Sequence, residues 1–223
     1  MPLRPILLGT LALALAACGD TDGTTATDAT TAEATPVAAT PVPPGTYTID
    51  GAHSAATFGV RHLGISTVKG SFDNVSGTLT LGETLSTMRA TAVLDASTIS
   101  TGNADRDDHL RSPDFFDVAQ FPEITFASTE VRPGPGDAFT LVGDLTMHGV
   151  TRPVTLDAEY LGSAVSPDGV QKVAFTATGE LDRTEWGLTW NQALETGGVV
   201  VGTDVTLELQ VEADRQPEAA PEA

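Results

Sequence analysis

Apolar and polar residues alternate with a period of two through residues 46–49, 55–62, 69–72, 76–81, 89–94, 124–131, 139–147, 154–160, 173–181 and 205–211. Period two puts successive side chains on opposite faces of a strand, so each segment carries one apolar face. Eight or more antiparallel strands of this kind bury that face against a partner sheet or by closing on themselves. The pattern alone leaves sandwich and barrel both open. Pro133-Gly134-Pro135-Gly136 and Ser166-Pro167-Asp168-Gly169 mark turns between long strands.

Residues 98–126 break the alternation. Asp105 is the expected N-cap of a short helical turn running through Asp108 and Arg111, because a carboxylate accepts from the orphan amides of a first turn. Pro113 ends that turn by forcing the residue before it out of the helical region. Phe115, Phe116 and Phe121 follow at once and must bury their rings. Pro122 then leads into Glu123-Ile124-Thr125-Phe126, where alternation resumes. The expectation is a structural corner helix over 105–116 with an aromatic plug, not an active site.

This stretch also resembles a known family. Asp107-Asp108-His109-Leu110-Arg111-Ser112-Pro113-Asp114-Phe115-Phe116-Asp117, followed by Phe121-Pro122-Glu123-Ile124-Thr125-Phe126-Ala127-Ser128, is similar to the hallmark of the YceI-like family. Those are small, lipocalin-like periplasmic proteins associated with polyisoprenoid binding. Tyr47-Thr48-Ile49-Asp50-Gly51-Ala52-His53-Ser54 resembles the family's opening, and Gly143-Asp144-Leu145-Thr146-Met147-His148-Gly149-Val150-Thr151-Arg152-Pro153-Val154 resembles its inner strands. Val68-Lys69-Gly70-Ser71-Phe72, Arg183-Thr184-Glu185-Trp186-Gly187-Leu188 and the closing strand extend the likeness over residues 45–212. The resemblance implies an all-β fold, an extended antiparallel closed barrel with a short corner helix, whose apolar interior holds a long prenyl chain.

The ends read differently. Residues 1–18 combine Arg4, an apolar run from Ile6 to Ala17 too short to span a bilayer, and Leu15-Ala16-Ala17-Cys18, which resembles a bacterial lipobox. Cys18 is the sole cysteine and is expected to be the lipidated N-terminus of the mature chain. Residues 19–44 are Thr, Ala, Pro and a few acids, a composition that cannot offset its ordering entropy, and are expected to form a disordered tether. Residues 213–223 repeat that composition and are expected to fray. The net charge of -19 argues against nucleic acid, which needs a basic face to replace counterions.

No nucleophile elbow, dinucleotide loop or calcium loop appears, and His53, His62, His109 and His148 lack the close spacing of metal ligands. The expected product is a lipid-binding protein without cofactor, metal or catalytic residues, tethered in the bacterial envelope and facing the periplasm or the cell exterior. Its alternatives are a structural or stress-related envelope protein with a filled barrel, and an enzyme acting on an isoprenoid lipid. The expected partners are an isoprenoid lipid of quinone or polyprenyl phosphate type and the membrane through Cys18, with a homodimer left open. Candidate lining residues are Phe58, Phe72, Phe126, Leu145, Met147, Phe175 and Trp186; candidate head-group residues are Arg61, Arg111 and Arg183.

Overall fold

A computed structural model describes residues 40–195 and 197–217. The expected lipobox and most of the expected tether lie outside them. Ten strands appear: β1 (Gly45–Ile49), β2 (Ala55–His62), β3 (Ser66–Phe72), β4 (Ser76–Leu81), β5 (Arg89–Asp95), β6 (Glu123–Pro133), β7 (Ala138–Met147), β8 (Val150–Val165), β9 (Gln171–Asp182) and β10 (Val201–Arg215). Among the described residues one α-helix, α1 (Ala104–Arg111), interrupts them between β5 and β6.

Every pairing is antiparallel, in the order β1-β4-β5-β6-β7-β8-β9-β10-β2-β3, and β1 also pairs β10. The last pairing closes the sheet. β1 and β2 act as one bent strand, as do β3 and β4, so the ring is an eight-membered up-and-down barrel. β10 accordingly pairs β2 along its first part and β1 along its last. Closure of the alternating faces resolves the choice between sandwich and barrel in favour of the barrel. β8 displays the logic plainly: Val154, Leu156, Ala158 and Tyr160 point in and are buried, while the residues between them are exposed. His148 and Gly149, both at positive φ (50° and 73°), form the two-residue turn from β7 to β8, a geometry that matches the twist of the strands.

The barrel closes differently at its two ends. At one, between the β6–β7 and β8–β9 loops, Tyr47, Leu81, Phe139, Tyr160, Val173 and Ala213 belong to one packed cluster. At the other, β3 parts from β5, and the bridge between Ser71 and Ser100 spans the gap. There Ile99, Ile124, Met147, Trp186 and Leu188 form a second cluster beneath α1, and this is the helix end of the barrel.

Three expectations are corrected. Asn103, not Asp105, caps α1: its Oδ1 accepts from the Arg106 amide at 3.0 Å, and Asp105 lies inside the first turn. A cap must reach forward from just outside the helix, and the helix starts at Ala104. Residues 213–215 are not a frayed tail but the end of β10, with Ala213 fully buried between Ile49 and Val173 as the strand completes the ring. The end of the expected tether also packs on the barrel. Thr40 donates from its amide and hydroxyl to Asp137 (2.6 and 2.7 Å), Val42 is buried, and the Tyr47 hydroxyl donates to Pro43 O.

Candidate functional site

Inward-facing residues of the barrel are not uniformly large. Ala90, Ala92, Ala158 and Ala177 sit where bulkier side chains would meet across the interior, and they leave a cavity of about 250 Å³. On β7 its wall runs from Phe139 to Met147. The roughly eight residue steps between them cover about 27 Å, or about 20 Å along the axis at a typical tilt of roughly 40°. Apart from Thr57, Thr91, Thr176 and Arg183 every lining residue is apolar. Two of the threonines are spoken for by backbone: Thr57 Oγ1 donates to Glu208 O and Thr176 Oγ1 to Leu209 O.

Phe58, Phe72, Phe126, Leu145, Met147 and Phe175 line this cavity. Trp186, expected beside them, does not. It is 1 % exposed in the helix-end cluster and donates from Nε1 to Leu145 O at 3.1 Å. The cause is local: alternation stops at Asp182, and Arg183–Trp186 form a 3-10 turn closed by Gly187 at φ 80°, which carries the indole behind the wall. Leu110, Phe115 and Phe116, outside the expected lining set, also line the cavity. The corner segment is therefore part of the cavity wall as well as a structural corner. Phe116 meets Phe72 edge-on at 5.7 Å, and Phe72 lies 5.7 Å from Phe58, a row of rings across the helix end. Alternation in β10 carries the same signal, because Val205, Leu207, Leu209 and Val211 share one parity and all line the cavity.

The arginines separate. Arg61 is exposed and braces the β2–β3 hairpin through Gly64 O (2.8 Å) and Thr67 Oγ1 (3.2 Å). Arg111 latches α1 to the preceding turn through Ser97 O (2.8 Å) and Ile99 O (3.1 Å), and pairs with Asp108. Neither reaches the cavity, since both side chains are taken up by nearby backbone carbonyls. Arg183 does: it is 5 % exposed and forms part of the wall. Burial pushes its guanidinium pKa down from the ordinary value, against the field of Asp182.

A model of the YceI-like domain matches residues 47–213. The chain belongs to the YceI-like family. The UPF0312 protein of Staphylococcus aureus strain USA300 is 43% identical over 171 residues, 74% of this chain and 95% of its own length. Among solved structures, a YceI protein from Campylobacter jejuni is 28% identical with a TM-score of 0.60, covering 70% of this chain and 90% of its own. Burkholderia cenocepacia BcnA superposes with a TM-score of 0.65 at 18% identity, over 74% of this chain and 98% of its own. A polyisoprenoid binding domain from Saccharophagus degradans, implicated in plant cell wall breakdown, does so with a TM-score of 0.58 at 16% identity, over 76% and 98%. These last two likenesses speak to the fold.

Outside the cavity, the YceI-like barrel carries one His–carboxylate grouping with metal-ligand spacing among the described residues: Asp50, His53 and Glu212. It lies on the seam where β1 meets β10. Lys172 already supplies a cation there, 2.6 Å from Asp214, 2.9 Å from Glu212 and 3.4 Å from Asp50. The hydrogen bond from His53, then those from the Ala52 amide and Lys172, hold the Asp50 carboxyl down at about 2 against the cost of burial. His109 and His148 are packed against rings, His109 on Phe115 and Trp190 and His148 on Phe121. Tyr160 is buried with no hydrogen-bond partner for its hydroxyl, and it lies off the cavity wall.

Proposed function

We propose that this protein holds one long isoprenoid chain in its barrel, as a carrier or reservoir working at a membrane. The observation that carries the reading is the cavity: apolar, about 250 Å³, and drawn out along the barrel in a member of the YceI-like family. Four chain bonds make an extended isoprene unit about 5 Å long. Roughly four units then match the 20 Å run of the wall. Sequestering one such unit from water is worth roughly 3–4 kcal/mol. A bilayer offers nearly the same burial, so exchange between membrane and barrel runs close to neutral. That energetic balance suits a carrier, which must release what it holds. Among the described residues the wall offers no carboxylate, histidine or thiol to act on a lipid, which weighs against the enzymatic reading. The hollow interior weighs against a purely structural, filled barrel.

In the same reading Cys18 is acylated, and the barrel sits on the outer side of a bacterial membrane at the end of the tether. A lipid anchor raises the local concentration of the cavity at its source of ligand. Mass spectrometry of lipid co-purifying with the native protein, together with uptake of a prenyl lipid from vesicles, tests the binding. An absence of prenyl lipid in both would overturn it. Intact mass and membrane fractionation of wild type and Cys18→Ser test the anchor. A Cys18→Ser protein that stays with the membrane would refute the anchor.

A further inference from the structure

Arg183 carries a buried charge that no acid among the described residues pairs with directly, the field of neighbouring Asp182 being its only acidic offset. Its Nε–H donates to Gly202 O at 2.9 Å, one Nη1–H to Leu188 O, and Nη2 to Trp190 O at 3.1 Å and more weakly to Val201 O at 3.5 Å. These acceptors are neutral carbonyls. Among the described residues no carboxylate lies within ion-pair distance of the guanidinium. A guanidinium has five N–H donors, so one on Nη1 is left without a partner. Asp182, the nearest acid in sequence, spends its carboxylate on the amide and hydroxyl of Thr184. On its remaining side the group looks toward the ring of Phe115, 6.0 Å away. Phe115, Leu188 and Val201 also border the cavity.

Removing a charge from water is costly unless it is paired. Carbonyl dipoles hold this one in a fixed place without cancelling it, and an apolar chain alone leaves it uncancelled. The geometry points to Arg183 as a head-group subsite for a single-chain lipid with an anionic oxygen acid, a phosphate monoester or a carboxylate. The head lies at the helix end of the barrel and the chain runs toward Phe139 and Phe175. Four backbone acceptors fix the guanidinium before ligand arrives, so little freedom remains to be lost on pairing. A charge-assisted hydrogen bond in a dry cavity is among the stronger polar contacts available. The inference rests on the reading of the cavity as a prenyl-chain site.

Three ligands with one chain and different heads separate the two ideas: farnesyl monophosphate, farnesoic acid and farnesol, each titrated into the full-length protein at physiological salt. Both acids, or one of them, should bind at least about tenfold more tightly than farnesol. Their difference from each other identifies which acid the subsite prefers. Arg183→Met should bring the ratio of acid to farnesol affinity close to one, whatever it does to farnesol affinity itself, with folding checked by circular dichroism. If Arg183→Met does not fold, the wild-type ranking still decides. Acids binding no better than farnesol would overturn the head-group subsite while leaving the prenyl site standing. Failure of all three to bind would overturn the prenyl reading itself.

Discussion

Gly70→Ala should narrow the cavity while sparing the fold. Gly70 faces Phe58 directly across the β2–β3 pair. A Cβ there would fall 2.4 Å from Phe58 Cζ, 2.7 Å from Cε1 and 2.9 Å from Thr101 Cγ2, all side-chain atoms, while ordinary contact begins at 3.4 Å. The Phe58 ring must therefore retreat by 1.0 Å, the difference between 3.4 and 2.4 Å, or swing away. The hollow interior that Phe58 lines offers it room. Overpacking a filled core costs about 1–3 kcal/mol. Here the empty protein should lose less than about 1 kcal/mol, and the rest should fall on the complex, where ring and lipid chain compete. At the upper end of that range about 2 kcal/mol falls on the complex, a drop in prenyl-lipid affinity of about 30-fold. Urea titration of the free protein and ligand titration of both proteins measure the two parts. Gly59→Ala is the control, because its Cβ meets Thr206 Oγ1 and Thr67 Cγ2, neither of them on the cavity wall. Full overpacking cost in the free protein with unchanged affinity would sink the argument, since it would mean that the ring has no cavity to enter.

Asn103→Ala should cost about 1 kcal/mol in chemical denaturation through loss of the α1 cap. Asp105→Ala should cost clearly less, and a reversed order would return the cap to Asp105. Tyr160→Phe should be neutral or stabilising, because it deletes a buried hydroxyl without a partner; a loss above about 1 kcal/mol would mean that the hydroxyl is bonded after all. The seam should titrate. Asp50 has a folded pKa of about 2, below its ordinary 3.8, so its contribution is present above about pH 4 and is lost as pH falls toward 2. His53, raised by the Asp50 hydrogen bond, contributes fully below its ordinary 6.5, and that share fades as pH rises through its folded value. Thermal melts of Asp50→Asn should fall off less steeply between pH 4 and 2 than those of wild type; an unchanged slope would place the acid sensitivity elsewhere.

The ring of strands was legible because each segment alternates over a long run, and one wrong parity would turn a whole apolar face to water. Legibility failed where the chain leaves that rhythm. Arg183-Thr184-Glu185-Trp186 follows β9 without a Gly or Pro to warn of the turn, and the αL residue that closes it, Gly187, comes after the fact. Trp186 therefore reads as lining when it is packing. Arg61 and Arg111 read as free cations because sequence does not reveal which carbonyls a guanidinium finds. The tail misled for a related reason. Glu212-Ala213-Asp214-Arg215 sets three polar residues, half-buried or exposed, around one buried alanine, so a strand that closes the barrel is spelled like a solvated end.

What sequence pattern leaves undecided is whether a closed barrel is full. Period two fixes which residues face inward but not how much space they fill, and alanine at Ala90, Ala92, Ala158 and Ala177 satisfies the apolar rule as well as leucine would. The volume carries a thermodynamic consequence. A dry void of 250 Å³, at about 24 cal/mol per Å³, corresponds to about 6 kcal/mol of packing that a filled core would have had. That is comparable to the whole net stability of many domains, roughly 5–15 kcal/mol. A lipid chain filling the space restores contacts that the side chains do not make, so occupancy and stability are linked. The long unbroken ladders that close the ring, eleven paired residues between β9 and β10 and ten between β7 and β8, let the fold stand while its centre is empty. The same alanines that weaken the empty barrel are what give it a place for the chain.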